Sequence, residues 1–242
     1  MVNFVVFGAV FGGYVLAGGK MAPIIKAAPF EFLIIGGSAI GASLVANSFP
    51  VFKAAMAGIG QCIKGPKWHQ ADYLALMLLI GKLQNVMKKE GVVALESHVE
   101  NPDSSPIFSK YPSVAADHHA VEFLTDYLRM MVGGNLNAFE IESLMDAEID
   151  THHSEQHVAV HCVSKVADGV PAFGIVVAVM GVVNVMGSVG QPPAVLGKMI
   201  GGALVGTFLG ILLSYGFVAP IASQLEQKME EGGKIYQCMK VV

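Results

Sequence analysis

Charge is scarce in this sequence. Asp, Glu, Lys and Arg make up 14% of its 242 residues, well under the roughly 25% usual for a soluble domain, which excludes an ordinary water-soluble globule. The deficit is uneven, because the charges gather in one central block and a short tail. That pattern argues for membrane segments around a water-facing domain. A basic excess is missing too, and the net charge of −4 points away from nucleic acid. The three cysteines, Cys62, Cys162 and Cys238, have no CxxC spacing and no even count. A disulfide framework is therefore excluded, and Cys62 and Cys162 read as small packing residues. The first apolar run has no basic n-region and no A-x-A-like site after it, so it reads as a retained span rather than a secretion signal. No nucleophile, base and orienting acid converge in any motif, so neither an enzyme nor a cofactor is expected.

What is present is apolar: 53% of the residues are hydrophobic and the mean hydropathy is +0.57. Four charge-free stretches are read as crossing a bilayer core, which takes about 17–25 residues. They are Asn3–Gly18, which is short and calls for a thinned or shielded position, and Phe32–Phe52, Val170–Val189 and Met199–Ala219. A fifth apolar run, Leu74–Leu83, has ten residues and contains Lys82, so it reads as a core helix of the soluble block. The expected fold is an all-α polytopic membrane protein with a helical cytoplasmic domain between the second and third of four transmembrane helices. Its parts are 1–52 with two spans and a short external loop, 53–168 as the cytoplasmic domain, 169–222 with two more spans, and 223–242 as a cytoplasmic tail. Orientation follows from Lys and Arg. Nine of the fifteen basic residues lie between Lys53 and Lys165 and three follow Pro220, so both termini and the central block are assigned to the cytoplasm.

Within the central block, apolar residues recur at helical spacing from Asp72 to Lys89 and stop before Gly91. The turn formers NPDSSP, 101–106, make a loop. Two more helices are expected at Val114–Met131 and Ala138–Val166, separated by Gly133, Gly134 and Asn135. No stop signal intervenes before Val170, so the last soluble helix is expected to run into the third span with Pro171 at the join.

Gly202, Gly206 and Gly210 share one helix face in the fourth span, and Gly197 and Gly201 form a second pair. Small residues at this spacing let helix backbones approach closely in lipid, either against a neighbouring subunit or within the chain. Pro171 and Pro220 lie at the cytoplasmic ends of the third and fourth spans. Each leaves the carbonyl four residues back, Ala167 or Gly216, without its usual donor. Two readings stand: an acceptor for a partner's polar group, or an ordinary kink or stop.

The most informative feature is a missing one. None of the four stretches carries Asp, Glu, Lys, Arg or His in its interior, and Glu31 stands at the outer edge of the second, within reach of the interface. Membrane proton carriers need an ionisable group within the bilayer. The chain is thus either not a conductor or the wall of a site whose acid belongs to another polypeptide. Thr207, mid-way along the fourth span, is the polar candidate to line such a site, with back-bonding to its own helix the equal alternative. His152, His153, His157 and His161 with Asp150 imitate a metal site, but HHSEQH is not HExxH and no cysteine stands at ligand spacing. A solvated helix face is the better reading, and no metal is expected. Lys88, Lys89, Glu90, Glu96 and Glu100 form a mixed-charge patch that reads as solvated surface or as a dock for a charged partner.

DGVPAFGIVVAVMGVVNVMGS from Asp168 and ALVGTFLGILLSYGFVAPIA from Ala203 resemble the two pore-lining spans of the flagellar stator A subunits, the MotA/PomA branch of the MotA/TolQ/ExbB family. The likeness continues through LESHVENPDSSPIFSKYP from Leu95, FEIESLMDAEIDTH from Phe139 and VFGAVFGGYVLAGG near the start. The resemblance implies a multi-pass protein of the bacterial inner membrane, in contact with lipid. It implies a homo-oligomeric ring, a pentamer, around a MotB-type partner whose single span carries the ion-binding aspartate. Pro171 and Pro220 match the family's two functional prolines and Thr207 its pore threonine. Ala178 stands where sodium-driven members have a second threonine, which implies protons. Glu96 matches an acidic contact to the rotor protein FliG, and Lys88 replaces a functional arginine, keeping charge but losing the bidentate fork. Glu148 matches an acid linked to torque or assembly. Members of that branch usually continue past the position of Val242. The competing expectations are an ExbB/TolQ-like proton-channel subunit, and a non-conducting membrane scaffold.

Overall fold

Proline, glycine and asparagine punctuate a chain that is otherwise helical. A computed structural model describes residues 2–63, 65–134 and 137–241, and no strand occurs among them. The helices are α1 Val2–Leu16, α2 Met21–Ala46, α3 Phe49–Ile63, α4 Gln70–Glu90, α5 Val92–Glu100, α6 Pro112–Ala115, α7 His118–Gly133, α8 Ala138–Met186, α9 Pro193–Leu213 and α10 Ala219–Val241. A π-helical turn, Ser214–Val218, joins α9 to α10.

Three segments are long and apolar enough to cross a membrane: α2, the apolar part of α8, and the run from Pro193. α1 is apolar but has 15 residues, about 22 Å of helix against a core of about 30 Å. The second apolar segment lies further toward the N-terminus than its hydropathy indicated. Helix α2 starts at Met21, carries Pro29 within it, and ends at Ala46 rather than at Phe52. The stop is chemical: Asn47 turns back so that its backbone N–H and its side-chain amide both donate to Ser43 O. Pro50 then sits in the first turn of α3, where its missing N–H costs nothing. The short external loop expected between the first two spans shrinks accordingly, with Gly18 taking a left-handed φ of 84° at the turn.

Two compact units divide the chain: residues 1–63 with 158–226, and residues 64–157 with 227–242. The first unit contains an apolar cluster of Ile35 and Ala39 from α2, Val170 and Val177 from α8, and Val205 and Leu209 from α9. Phe7 and Phe11 of α1 reach Phe217 and Phe208 at ring separations of 4.4 and 5.8 Å. Large apolar side chains face outward, including Leu33, Val45, Val183 and Leu204, a surface that suits lipid or a neighbouring subunit rather than water.

The second unit has a core of Leu76, Leu79 and Leu83 from α4, Leu95 and Val99 from α5, Phe108, Val114, and Leu124 from α7. The 74–83 run is thus the core helix its length implied. Ile235, Tyr236 and Met239 of α10 complete that core, so the tail is an integral part of this unit. The NPDSSP loop is pinned by buried Ser105, whose Oγ lies 3.0 Å from His98 Nδ1. The helix expected from Val114 is split in two, because Asp117 caps a fresh start by accepting from Ala120 N–H. Gly134, with φ 64°, ends α7 as a left-handed cap; Asn135 lies outside the described residues. Helix α8 runs unbroken from Ala138 through Pro171, as the missing stop signal implied.

Candidate functional site

Of the residues singled out in the fourth apolar stretch, Gly206 and Gly210 lie where α9 packs on α8, and glycine decides how closely. A Cβ on Gly174 would lie 2.8 Å from Gly206 O and 3.0 Å from Gly210 Cα. One on Gly181 would meet Ala203 Cβ at 2.5 Å. The two helices therefore touch backbone to backbone, which is where small residues in lipid have their use. Gly206 and Gly210 serve contacts inside the chain, whereas Gly197, Gly201 and Gly202 have nothing within 4 Å of the Cβ position. The stripe is split: its inner half holds α8, and its outer half is open. The α8 partners Gly174 and Gly181 were not singled out from sequence, although their seven-residue spacing puts them on one face.

Pro171 lies half-buried inside α8 and deprives Ala167 O of its helical donor. That carbonyl is not left for a partner. Ser214, the first residue of the π-helical turn, donates from Oγ to Ala167 O at 2.7 Å. Both residues are buried, at 2% and 3% exposure. Of the two readings of that carbonyl, an acceptor for a partner or part of an ordinary kink, the structure shows it bonded within the chain, and Ser214 is a functional candidate that sequence reasoning missed. The only signal was a polar residue just before Pro220. In the turn itself Ala219 N–H donates to Ser214 O, an i→i+5 register that carries the helix around the proline's missing donor at Pro220. Pro220 itself is half-buried at the start of α10.

Thr207 follows Gly206 on α9 and is half-buried. Its hydroxyl makes no hydrogen bond among the described residues, so back-bonding to its own helix does not occupy it. Ala178, half-buried on α8, follows Val177, whose Cγ1 lies 2.8 Å from the Cβ position of Gly206. Glu31 reaches the same place. Its Oε2 lies 3.0 Å from that Cβ position, and the residue is 8% exposed. Glu31 stands ten residues inside α2, about 15 Å from its first residue.

In the second unit Lys88 ends α4 and Glu96 lies on α5. Both are exposed, and neither makes an ion pair among the described residues. Arg129 by contrast is engaged, pairing with Glu100 and Asp126. Glu148 is exposed and accepts from Tyr127 Oη at 2.7 Å. Burial and then the Glu148 carboxylate push the Tyr127 phenol above its usual range. Glu148 lines a cleft of about 230 Å³ with His119, Glu122, Asp126, His152 and Tyr236. His152 packs on the Tyr236 ring at 5.0 Å; burial, then His119, lowers its pKa. Burial raises Tyr236 to about 12. Burial opposes ionisation of Asp117, but Lys67 and the Ala120 N–H outweigh it and hold the carboxyl below its usual value. His153 and His157 Nε2 atoms lie 3.3 Å apart, and no group of three or more ligating side chains is arranged for a metal among the described residues.

Known proteins resemble nearly the full length of the chain. Residues 3–91 match the family described as Motility protein A N-terminal. Residues 115–237 match the MotA/TolQ/ExbB proton channel family. Motility protein A of Salmonella typhimurium is 46% identical over 98% of this chain and 80% of its own length. The Escherichia coli Motility protein A is 44% identical over the same shares. Among solved structures, the flagellar MotAB stator complex from Bacillus subtilis matches with a TM-score of 0.75 at 24% identity, covering 98% of this chain and 84% of that one. That likeness concerns the fold.

Proposed function

Because this chain belongs to the MotA/TolQ/ExbB proton channel family, we propose that it forms the proton-channel wall of a bacterial flagellar stator and transmits ion flow as torque. The observation that carries this is the 46% identity to a Motility protein A across 98% of the chain. The match of residues 3–91 to the Motility protein A N-terminal family favours the stator over an ExbB/TolQ-like role. The chain sits in the bacterial inner membrane. Helices α1, α2, the C-terminal part of α8 and α9 cross it, with both termini and the second unit in the cytoplasm. The concentration of Lys and Arg in the central block and tail supports that orientation.

Five copies ring a MotB-type partner whose membrane aspartate takes up the proton. Thr207, Ala178, Pro171 and Pro220 line the path of the partner helix, and alanine at 178 favours protons. Thr207's unengaged hydroxyl and the open glycines Gly197, Gly201 and Gly202 are the features available to another helix. Protonation removes the partner's charge and frees its helix to move against these surfaces, so the ring turns about the anchored partner. Each charge crossing 100 mV delivers about 2.3 kcal/mol, so several transfers are needed per unit of work. Lys88 and Glu96, exposed and unpaired, meet the charged rotor protein FliG, and Glu148 supports torque or assembly. The test is motility in a strain lacking the gene, complemented with variants. Pro171→Leu and Thr207→Ala should stop or slow swimming while the protein still reaches the membrane; parental swimming and proton leak would remove the pore role.

A further inference from the structure

Among the described residues, Glu31 is the one charge-bearing side chain that is buried, at 8% exposure. Its Oε2 is sealed from solvent without a hydrogen-bond partner, and no cation pairs with it. An ionised carboxylate so placed costs several kcal/mol unless something compensates it. Oε2 lies 3.0 Å from the point where a Gly206 Cβ would stand, and Val177 Cγ1 lies 2.8 Å from the same point. A side chain at 206 would occupy the space the carboxyl fills. Gly206 is thirteen residues into α9, about 20 Å from its first residue. The residues that follow the two contact residues are Thr207 and Ala178, those assigned to the ion path above.

We propose that Glu31, lodged against Gly206, is a protonation site of the channel wall, taking up and releasing a proton at the level of Thr207 and Ala178. The inference rests on the stator reading and deepens it, since each copy in a ring then adds an acid of its own beside the partner's aspartate. The chemistry is the balanced exchange of a carboxylate and a proton for a carboxylic acid. Neutralisation by an incoming proton is what lets a carboxyl persist between apolar walls. Gly206 acts as the positioning residue that admits it.

The experiment uses the intact stator in cells, with fluorescent tagging to count assembled units and rotation speed per unit measured against external pH at fixed membrane potential. Glu31→Gln should assemble and should lower the speed per unit by about ten-fold. That is less than the roughly 10²- to 10⁴-fold supplied by an obligatory proton-transfer group, because the partner's aspartate is intact. Its pH dependence should flatten. Gly206→Ala, which keeps the acid but fills its space, should displace the pH profile in a chain that still carries Glu31. Parental speed and profile in Glu31→Gln would overturn the proposal, as would fewer assembled units with unchanged speed per unit. A response to external sodium at fixed pH would overturn the proton assignment. Should the glutamine variant not assemble, Glu31→Asp decides: a displaced profile supports the site and a parental one refutes it. Pro171→Leu, measured in parallel, separates the two readings. If it rotates normally the stator reading fails; if it stops while Glu31→Gln is silent, only the present proposal fails.

Discussion

Ser214→Ala tests whether the carbonyl freed by Pro171 is held by one hydroxyl. The proline leaves Ala167 O without a donor, and Ser214 Oγ supplies one at 2.7 Å in a place where both residues are buried. Removing the hydroxyl strands a buried acceptor, at a cost of about 1–3 kcal/mol. For a chain of this size each kcal/mol moves Tm by about 2–4 °C, so the purified protein in detergent should melt about 2–12 °C lower. The same change made in a Pro171→Ala background should cost far less. Alanine at that position restores a backbone N–H four residues on from Ala167, and the carbonyl regains a helical donor. A coupling energy of about 1 kcal/mol or more is expected, as for residues sharing one hydrogen-bond system. Thermal unfolding of the two single variants, the double variant and the parent measures it. Equal cost of Ser214→Ala in both backgrounds would refute the link between serine and proline.

Other outcomes follow from the same geometry. Gly210→Ala should destabilise by about 1–3 kcal/mol, because its Cβ would meet Gly174 Cα at 2.9 Å. Gly202→Ala, whose Cβ would have nothing within 4 Å, should leave the melting temperature of the isolated chain unchanged. Lys88→Glu and Glu96→Lys should each slow swimming with a stability change within about 0.5 kcal/mol, since neither side chain is paired; swarm-plate diameter and Tm read the two effects separately. Tyr127→Phe should cost about 1 kcal/mol through loss of its bond to Glu148, read by thermal melting. The second unit should weaken below about pH 6.5, the ordinary histidine value. Burial and His119 hold His152 neutral in the fold, while the unfolded chain takes its proton earlier, so acidification favours unfolding. His152→Gln should flatten the dependence of Tm on pH in that window.

Much of the architecture is legible in the residues themselves. The absence of a helix stop between Ala138 and Val170 already announces one long helix, and the ten-residue length of the 74–83 run marks it as core. The helix that carries the second apolar stretch covers 21–46 rather than 32–52, for a physical reason. Hydropathy treats a glutamate as the end of a membrane stretch, yet a carboxyl can enter a bundle where a facing glycine leaves room, as Gly206 does for Glu31. The other end of that span was set by Asn47 folding back on Ser43, a local cap that outweighs the apolar residues beyond it. Periodicity put the α9 glycines on one face, but which of them meet α8 depends on the partner surface. The Ser214 donor lies 47 residues from its acceptor, and nothing in either segment alone encodes that pairing. Burial of Ile235 and Tyr236 likewise depends on a core assembled from distant helices.

Proton flux into liposomes is the most direct test of the stator account. The purified chain would be reconstituted alone, and then with a single-span partner bearing a membrane aspartate, under an imposed potential. The account predicts that flux appears only when both polypeptides are present and vanishes when the partner's aspartate is replaced by asparagine. Sustained flux through the chain by itself would contradict it.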